Sequence, residues 1–347
     1  MKKTEYHVAI VGATGAVGTK IKELLEQDTQ FAIGQLKLLS SRRSAGTLIP
    51  FRDEVIQCEE LTATSFEDVD IAFFSAGGEV SRQFVPIAVR SGAIVIDNTS
   101  EFRMHKEVPL VVPEVNPHVL QTHQGIVSVP NCSALQMVTA LTPIHHTYGL
   151  ERIIVSTYQA VSGSGVGAIT ELLSQAQASL QGEPAQANLL PAKKDQKHYP
   201  IAFNVLPQVD VFTDNDYSYE EQKMMDETKK IMELPFLKMA ATCVRVPVVT
   251  GHSESVYIEL ATPASVSEIR ELLSQSAGVV VQDNPAEQLY PTPLQAAGSP
   301  DVFVGRIRKD PDIPNGFHLW IVSDNLLKGA AWNSLQIAHS LMEQDLI

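Results

Sequence analysis

Cysteine is scarce in this chain: three in 347 residues, at Cys58, Cys132 and Cys243. An odd, widely spaced set fits neither a disulfide framework nor a metal-binding cluster, so no metal site is expected and the compartment is read as a reducing cytoplasm. Basic residues are also outnumbered. Lys and Arg total 26 against 40 Asp and Glu, a formal net charge of −14. That balance argues against nucleic acid or an anionic membrane as partner, and an anionic substrate would need a local cluster of arginines and lysines working against the global field. Long apolar runs are missing too. Nothing approaches the roughly 18 residues a spanning helix needs. Met1, Lys2 and Lys3 lead into Thr4, Glu5 and His7 without the apolar stretch of a signal peptide. Internal repeats and low-complexity tracts are absent. What remains is an ordinary globular composition, 44 % hydrophobic and 19 % charged, long enough for two domains.

The chain opens as strand, glycine turn and helix. Tyr6 to Val11 is apolar and ends in Gly12-Ala13-Thr14-Gly15-Ala16-Val17-Gly18, after which Ile21, Leu24 and Leu25 recur at helical spacing. Glycines there allow a tight turn and close approach of backbone to a pyrophosphate lying on a helix N-terminus. A second apolar stretch, Gln35 to Leu39, runs into Ser40-Ser41-Arg42-Arg43-Ser44. An NAD site normally places Asp or Glu here for the ribose hydroxyl. Hydroxyls and guanidinium groups suit a 2′-phosphate instead, so the cofactor is read as NADP(H). Strands at Val69–Phe74 and Ala93–Ile96 alternate with a helix from Glu79 to Arg90, the pattern of a Rossmann-type, doubly wound parallel sheet. Ligands of such sheets bind beyond the carboxyl ends of the strands, where Gly77, Gly78, Asn98, Thr99 and Cys132 fall. Cys58 reads as a structural residue inside an edge-like strand.

Cys132 lies in Pro130-Asn131-Cys132-Ser133, between a strand at Gly125–Val129 and a long helical pattern through Ala134, Leu135, Met137, Val138, Leu141 and Ile144. A cysteine at the first turn of a helix meets unpaired N–H groups that favour the thiolate. The helix end supplies about 0.3–1 kcal/mol, under roughly one pKa unit. A reactive Cys132 therefore needs a second helper, and a histidine is the expected one. The alternative is a small, buried, inert side chain.

The second half reads as an α+β domain with a mixed or antiparallel sheet. Its strands are expected at Arg152–Ala160, Ala240–Val249, Glu254–Leu260, Val279–Gln282, Val302–Arg308 and His318–Ser323, and its helices at Ala168–Leu180 and Tyr219–Met232. Gly251 and His252 interrupt the strand pattern, and His252 is the favoured base among the ten histidines. Arg245 within an apolar strand needs an anionic partner, either a ligand or a carboxylate such as Glu259. Leu326 to Met342 reads as one long helix returning to the nucleotide domain. The expected division is residues 1–131 with 325–347 for cofactor, and 132–324 for catalysis and dimerisation.

Taken in order, GATGAVG (12–18), LLSSRRSAG (38–46), SAGG (75–78), DNTSEFRM (97–104), VPEVN (112–116), PNCS (130–133), STYQAVSGSG (156–165), FNVLPQVD (203–210), ATCVRVPVVTGHSESVYIE (241–259), FVGRIRKD (303–310) and SDNLLKGAAWN (323–333) span nearly the whole chain. Together they resemble the aspartate-semialdehyde dehydrogenase family, in its Gram-positive bacterial form. The resemblance implies NADPH-dependent reductive dephosphorylation of L-aspartyl 4-phosphate to L-aspartate 4-semialdehyde and phosphate. It also implies a place in lysine, threonine, methionine and isoleucine biosynthesis, and a homodimer or tetramer. Cys132 then matches the thioester-forming nucleophile, His252 the acid/base and Gln159 the residue orienting the acyl group. Arg103 and Lys223 match a phosphate-binding pair, Arg245 the grip on the α-carboxylate, and Glu220 the carboxylate near the amine, with Asn131 beside the nucleophile. For the cofactor the matching positions are Gly12, Thr14, Gly15, Ala16, Val17, Gly18, Arg43, Ser44, Ser162, Gly163 and Asn325. Three departures stand out: Ala134 after PNCS, the loop Ser164-Gly165-Val166-Gly167, and Glu101 before Arg103, the last expected to bear on phosphate binding. A reductase of another acyl phosphate, such as N-acetylglutamyl phosphate, a Cys/His hydrolase and a non-catalytic NADPH sensor are the competing readings.

Overall fold

The computed structural model describes residue 3 and residues 5–347. Two compact units divide the chain: Met1–Pro130 with Ala330–Ile347, and Asn131–Gly329.

In the first unit, β1 (Tyr6–Val11), α1 (Ala16–Gln27), β2 (Ile33–Ser40), the small hairpin β3 (Leu48–Phe51) and β4 (Glu54–Gln57), β5 (Glu59–Glu60), β6 (Ile71–Phe74), α2 (Gly78–Arg90), β7 (Ile94–Asp97) and β8 (Ile126–Ser128) follow in sequence. Six strands form one sheet in the order β5-β2-β1-β6-β7-β8, with every pairing parallel. The order reverses beside β1, the switch point where such sheets bind ligands. Continuous apolar strands suit a sheet buried on both faces: Val8 to Val11 and Ile71 to Phe74 are all buried. Cys58 lies between β4 and β5, not within a strand, and its thiol donates to Ser40 Oγ at 3.1 Å.

The second unit begins with α3 (Cys132–Tyr148), followed by β9 (Leu150–Gln159), α4 (Val166–Leu180), α5 (Tyr219–Ile231), β10 (Lys238–Arg245), β11 (His252–Leu260), α6 (Val266–Ser274), β12 (Val279–Val281), the short α7 (Pro293–Ala296), β13 (Val302–Lys309) and β14 (Gly316–Ser323). Its six strands run β10-β9-β11-β14-β13-β12. The sheet is mixed: β10–β9 and β12–β13 are parallel and the rest antiparallel. Side chains alternate as a half-covered sheet requires. Ile153, Val155, Thr157 and Gln159 are buried, whereas Ile154 and Tyr158 on the other face are exposed. β11 begins two residues earlier than expected, because His252 opens it instead of preceding it.

The closing helix is also not continuous. Leu327–Ala331 forms a π turn before α8 (Trp332–Glu343). Asp324 Oδ1 accepts from the N–H groups of Leu326 and Leu327, at 2.8 and 3.0 Å. Gly329 N–H reaches back five residues to Asp324 O, the wider loop of a π turn.

Candidate active site

Cys132 is the first residue of α3, and Asn131 caps it. The Asn131 side-chain Oδ1 accepts from the backbone N–H groups of Ser133 (3.0 Å) and Ala134 (3.2 Å). An Asn cap of this kind satisfies donors that would otherwise be orphaned. Two carboxylates of α5 hold the cap in turn. Asn131 Nδ2 donates to Glu220 Oε1 at 2.8 Å, and the Asn131 backbone N–H donates to buried Glu227 Oε2 at 2.6 Å. From the far end of the unit Gly329 closes on the cysteine: a Cβ there would stand 2.6 Å from Cys132 Cβ. Only a glycine leaves the thiol its place.

Strand register assembles the rest. Arg245 and Gln159 are partners at the ends of β10 and β9, and Ser253 pairs with Tyr158, which sets His252 next to Gln159 on the buried face. Arg245 Nη1 donates to Ala160 O at 2.8 Å, while its buried Nε has no partner among the described residues. Burial presses the guanidinium below its ordinary value; the charges of Glu220 and Cys132 oppose this. Arg245 is thus electrostatically coupled to Cys132. Glu259 is not its counter-ion, since that carboxylate sits 3.7 Å from Arg152. His252 is fully buried, with Nδ1 accepting from the Ala160 N–H at 3.0 Å. Burial, then the Arg245 charge, push its pKa down to about 3, with Glu220 pulling upward.

Glu220 is the hub. Its Oε1 accepts from Asn131 and from Gln159 Nε2 (3.1 Å), and its Oε2 lies 2.7 Å from Lys223 Nζ. Burial alone would raise its pKa, but Lys223, the Asn131 hydrogen bond and Arg245 bring it to about 2. Lys223 also reaches Asp210 at 3.2 Å. Ser162 and Asn325 bond to each other, at 2.9 Å from Asn325 Nδ2, and Asn325 Oδ1 accepts from the Gly251 N–H at 2.9 Å. Gly163 packs beside Arg245 and His252. Cys243, by contrast, is a buried thiol pushed well up by desolvation, as an inert residue would be.

The remaining expected residues belong to the first unit. Gly12 has φ +88° and packs on Ser75, and a Cβ on Gly18 would fall 2.2 Å from Gly12 O. Gly15 caps α1 without any side-chain acceptor, so Ala16, Val17 and Gly18 open a helix whose first N–H groups have no side-chain cap. Thr14 is exposed beside them. A helix N-terminus with N–H groups open in this way is suited to an anion. Arg43 is exposed and Ser44 half-buried in the turn after β2. Buried Arg103 donates to Asn98 O at 2.9 Å. Glu101 is engaged by Arg82 through two hydrogen bonds of 2.7 and 2.8 Å, which draws its charge into an ion pair of its own. Among the described residues no group of His, Cys, Asp and Glu could hold a metal ion, and no helix is long and apolar enough to cross a membrane.

Two family models divide the chain as its units do: a semialdehyde dehydrogenase NAD binding domain over residues 7–123 and a semialdehyde dehydrogenase dimerisation domain over 141–328. An aspartate-semialdehyde dehydrogenase of Bacillus subtilis is 58 % identical over 342 residues, covering 98 % of this chain and 99 % of that protein. The chain belongs to the aspartate-semialdehyde dehydrogenase family. The family's Aquifex aeolicus member is 46 % identical over 99 % of both chains. Among solved structures, aspartate semialdehyde dehydrogenase II of Vibrio cholerae in complex with ASA superposes with TM-score 0.92 at 42 % identity, over 98 % of this chain and 99 % of that one. A Candida albicans enzyme solved with NADP gives TM-score 0.76 at 26 % identity, over 99 % and 100 %. A nicotinamide cofactor is thus common to fold and family.

Four contributors were not singled out from the sequence: Glu227, Asp210, Gly329 and the Ala160 amide. Asp210, Gly329 and Ala160 fall within the stretches that carry the resemblance, but each of the four acts through a partner elsewhere in the chain that no local spacing marks.

Proposed function

We propose that the chain reduces L-aspartyl 4-phosphate to L-aspartate 4-semialdehyde with release of phosphate, using NADPH. The observation that carries the reading is the cluster within one unit of a helix-capped cysteine, a buried arginine with an unused donor, and a carboxylate hub, in a chain 58 % identical to a named relative. In this reading Cys132 is the nucleophile. The α3 N-terminus and the charge of Arg245 favour its thiolate. The thiolate attacks the acyl carbon, the bond to the phosphate oxygen breaks, and a thioester forms on Cys132. When bound, the nicotinamide supplies the hydride that reduces this thioester.

Arg245 Nε is a buried donor that suits the substrate α-carboxylate, and the Nη1 bond to Ala160 O fixes the guanidinium plane for it. Glu220 has four acceptor sites and uses three, which leaves room for the substrate amine. That amine is what N-acetylglutamyl phosphate lacks. Gln159, tied to Glu220, orients the acyl group, and Lys223 and Arg103 are assigned to the phosphate. Gly12, Thr14, Gly15, Ala16, Val17, Gly18, Ser162, Gly163 and Asn325 are assigned to the cofactor. Arg43 and Ser44, with no acidic residue at the end of β2, favour the 2′-phosphate of NADP over NAD.

A homodimer through the second unit accords with its family description. Its sheet leaves Ile154 and Tyr158 each 37 % exposed. A cleft of about 400 Å³ opens at Tyr158, lined also by Tyr290, Arg306, Arg308 and Trp320. The proposed compartment is the cytoplasm.

The test follows reduction of NADP by aspartate semialdehyde plus phosphate, in the wild type and in Cys132→Ala. Activity in the first and essentially none in the second is expected, with NADP binding intact in both. Equal rates would remove Cys132 from the mechanism, and NAD serving as well as NADP would remove the role of Arg43.

A further inference from the structure

Asp97 closes β7, is fully buried, and lies outside the residues assigned to substrate or cofactor. Three donors converge on its carboxylate. Ser81 Oγ at 3.0 Å and the Thr99 N–H at 2.9 Å reach Oδ1, and Thr99 Oγ1 reaches Oδ2 at 2.9 Å. Burying a carboxylate is costly, even one so well supplied with donors. The peptide group between Asn98 and Thr99 gives the reason. Its N–H donates to Asp97, and its carbonyl, Asn98 O, accepts from Arg103 Nη2 at 2.9 Å. This peptide is trans, so its N–H and C=O point in opposite directions from one rigid plane. A carboxylate grips one end of that plane and a guanidinium the other, each at the pole that suits its charge. Asn98 is tied on its other sides as well. Its N–H donates to Phe74 O at 2.9 Å, and its Oδ1 accepts from Ser334 Oγ of α8 at 3.0 Å.

We propose, on the acyl-phosphate reading above, that Asp97 is a positioning residue: through the Asn98–Thr99 peptide it fixes the Arg103 guanidinium for the substrate phosphate. Its contribution is geometry and not charge. A carboxylate near a phosphate site repels the anion, so deleting the charge alone would tighten phosphate binding. A weakening on its removal therefore reports lost position. Burial pushes the Asp97 carboxyl up, while the bonds from Thr99 and Ser81 and the charge of Arg103 draw it back. The other acid of this loop does not compete for Arg103, because Glu101 is held by Arg82.

The experiment follows reduction of NADP by aspartate semialdehyde with phosphate varied, on the full-length protein, and reads the KM of all three substrates. Asp97→Ala should raise the phosphate KM about tenfold, as expected for groups sharing one network, and leave the other two within about twofold. Asp97→Asn keeps the Oδ1 acceptor without the charge, so its phosphate KM should return to the wild-type value or fall below it. A phosphate KM at or below wild type in Asp97→Ala would overturn the proposal. So would an Asn variant as weak as Ala, or three constants that move together. Should Asp97→Ala not fold, Thr99→Val removes one of the three bonds and should raise the phosphate KM severalfold by itself; no change there would count against the proposal equally. In an Arg103→Gln background, Asp97→Ala should add no more than about twofold, and a full second increment would show that it does not act through Arg103. An unchanged phosphate KM in Arg103→Gln alone would sink the assignment of Arg103 to phosphate. A raised value there, with wild-type behaviour in Asp97→Ala, would sink the positioning role and leave that assignment standing.

Discussion

Replacing Glu220 by Gln tests the hub of the site with a magnitude worked from its geometry. The carboxylate is buried, yet Lys223 at 2.7 Å, the Asn131 hydrogen bond and Arg245 hold its pKa at about 2 against an ordinary 4.5. That preference for the charged form is worth about 3 kcal/mol at neutral pH, by the conversion of about 1.36 kcal/mol per unit. An independent estimate agrees: removing one partner of a buried pair costs about 3–5 kcal/mol. The residual bond from Lys223 to Asp210 at 3.2 Å argues for the lower figure. The sign is fixed by linkage. A lowered native pKa gives stability that is complete above pH 4.5 and lost as pH falls toward 2. Urea unfolding of wild type and Glu220→Gln, at equal protein concentration, should therefore differ by about 3 kcal/mol at pH 7 and by roughly 1 kcal/mol less at pH 4. A difference below about 1 kcal/mol at pH 7, or one indifferent to pH, would refute the hub.

Other outcomes follow from the same geometry. Asn131→Ala should cost about 1 kcal/mol for the lost cap and should slow alkylation of Cys132 by iodoacetamide; unchanged alkylation would separate the cap from the thiol. Gly329→Ala drives a methyl group to 2.6 Å from Cys132 Cβ, so kcat should fall at least tenfold while NADP affinity, measured by fluorescence titration, holds; wild-type turnover would show that the π turn yields. Glu254 is buried with no close hydrogen bond to either oxygen among the described residues, and burial, opposed only by the nearby Gln136 amide, raises its pKa well above 4.5. A raised acid destabilises the native state increasingly as pH climbs past 4.5, so Glu254→Gln should gain stability from pH 5 to pH 8, by at most about 1.4 kcal/mol per unit. A gain independent of pH would mean that Glu254 is ionised in the fold.

Much of the architecture was legible because it rests on local rules. Apolar runs of four to six residues between helical periodicities mark a parallel sheet, and the glycine turn after β1 marks its ligand edge. The boundaries that moved have specific causes. His252 joined β11 because its backbone pairs with Ser323, which no nearby residue reveals. The closing helix opens with a π turn, anchored by Asp324, in which Gly329 meets Cys132 across the unit. Glu101 looked like a threat to Arg103 until Arg82, nineteen residues before it, proved to hold its charge.

The amino-acid order alone determined the glycine cradle, the Asn-capped start of α3 and the cysteine at its first turn, since each is a matter of neighbours a few residues apart. Tertiary structure decided what surrounds that cysteine. Glu227 reaches Asn131 across 96 positions and the Ala160 amide reaches His252 across 92. Such pairings depend on strand register and on how one helix crosses another, quantities set by packing over the whole unit and written in no local spacing. The sequence thus named the candidate groups, and the fold settled what holds each of them: the Ala160 amide on His252 Nδ1, and two carboxylates of α5 on the cap of the helix that carries the sulfur.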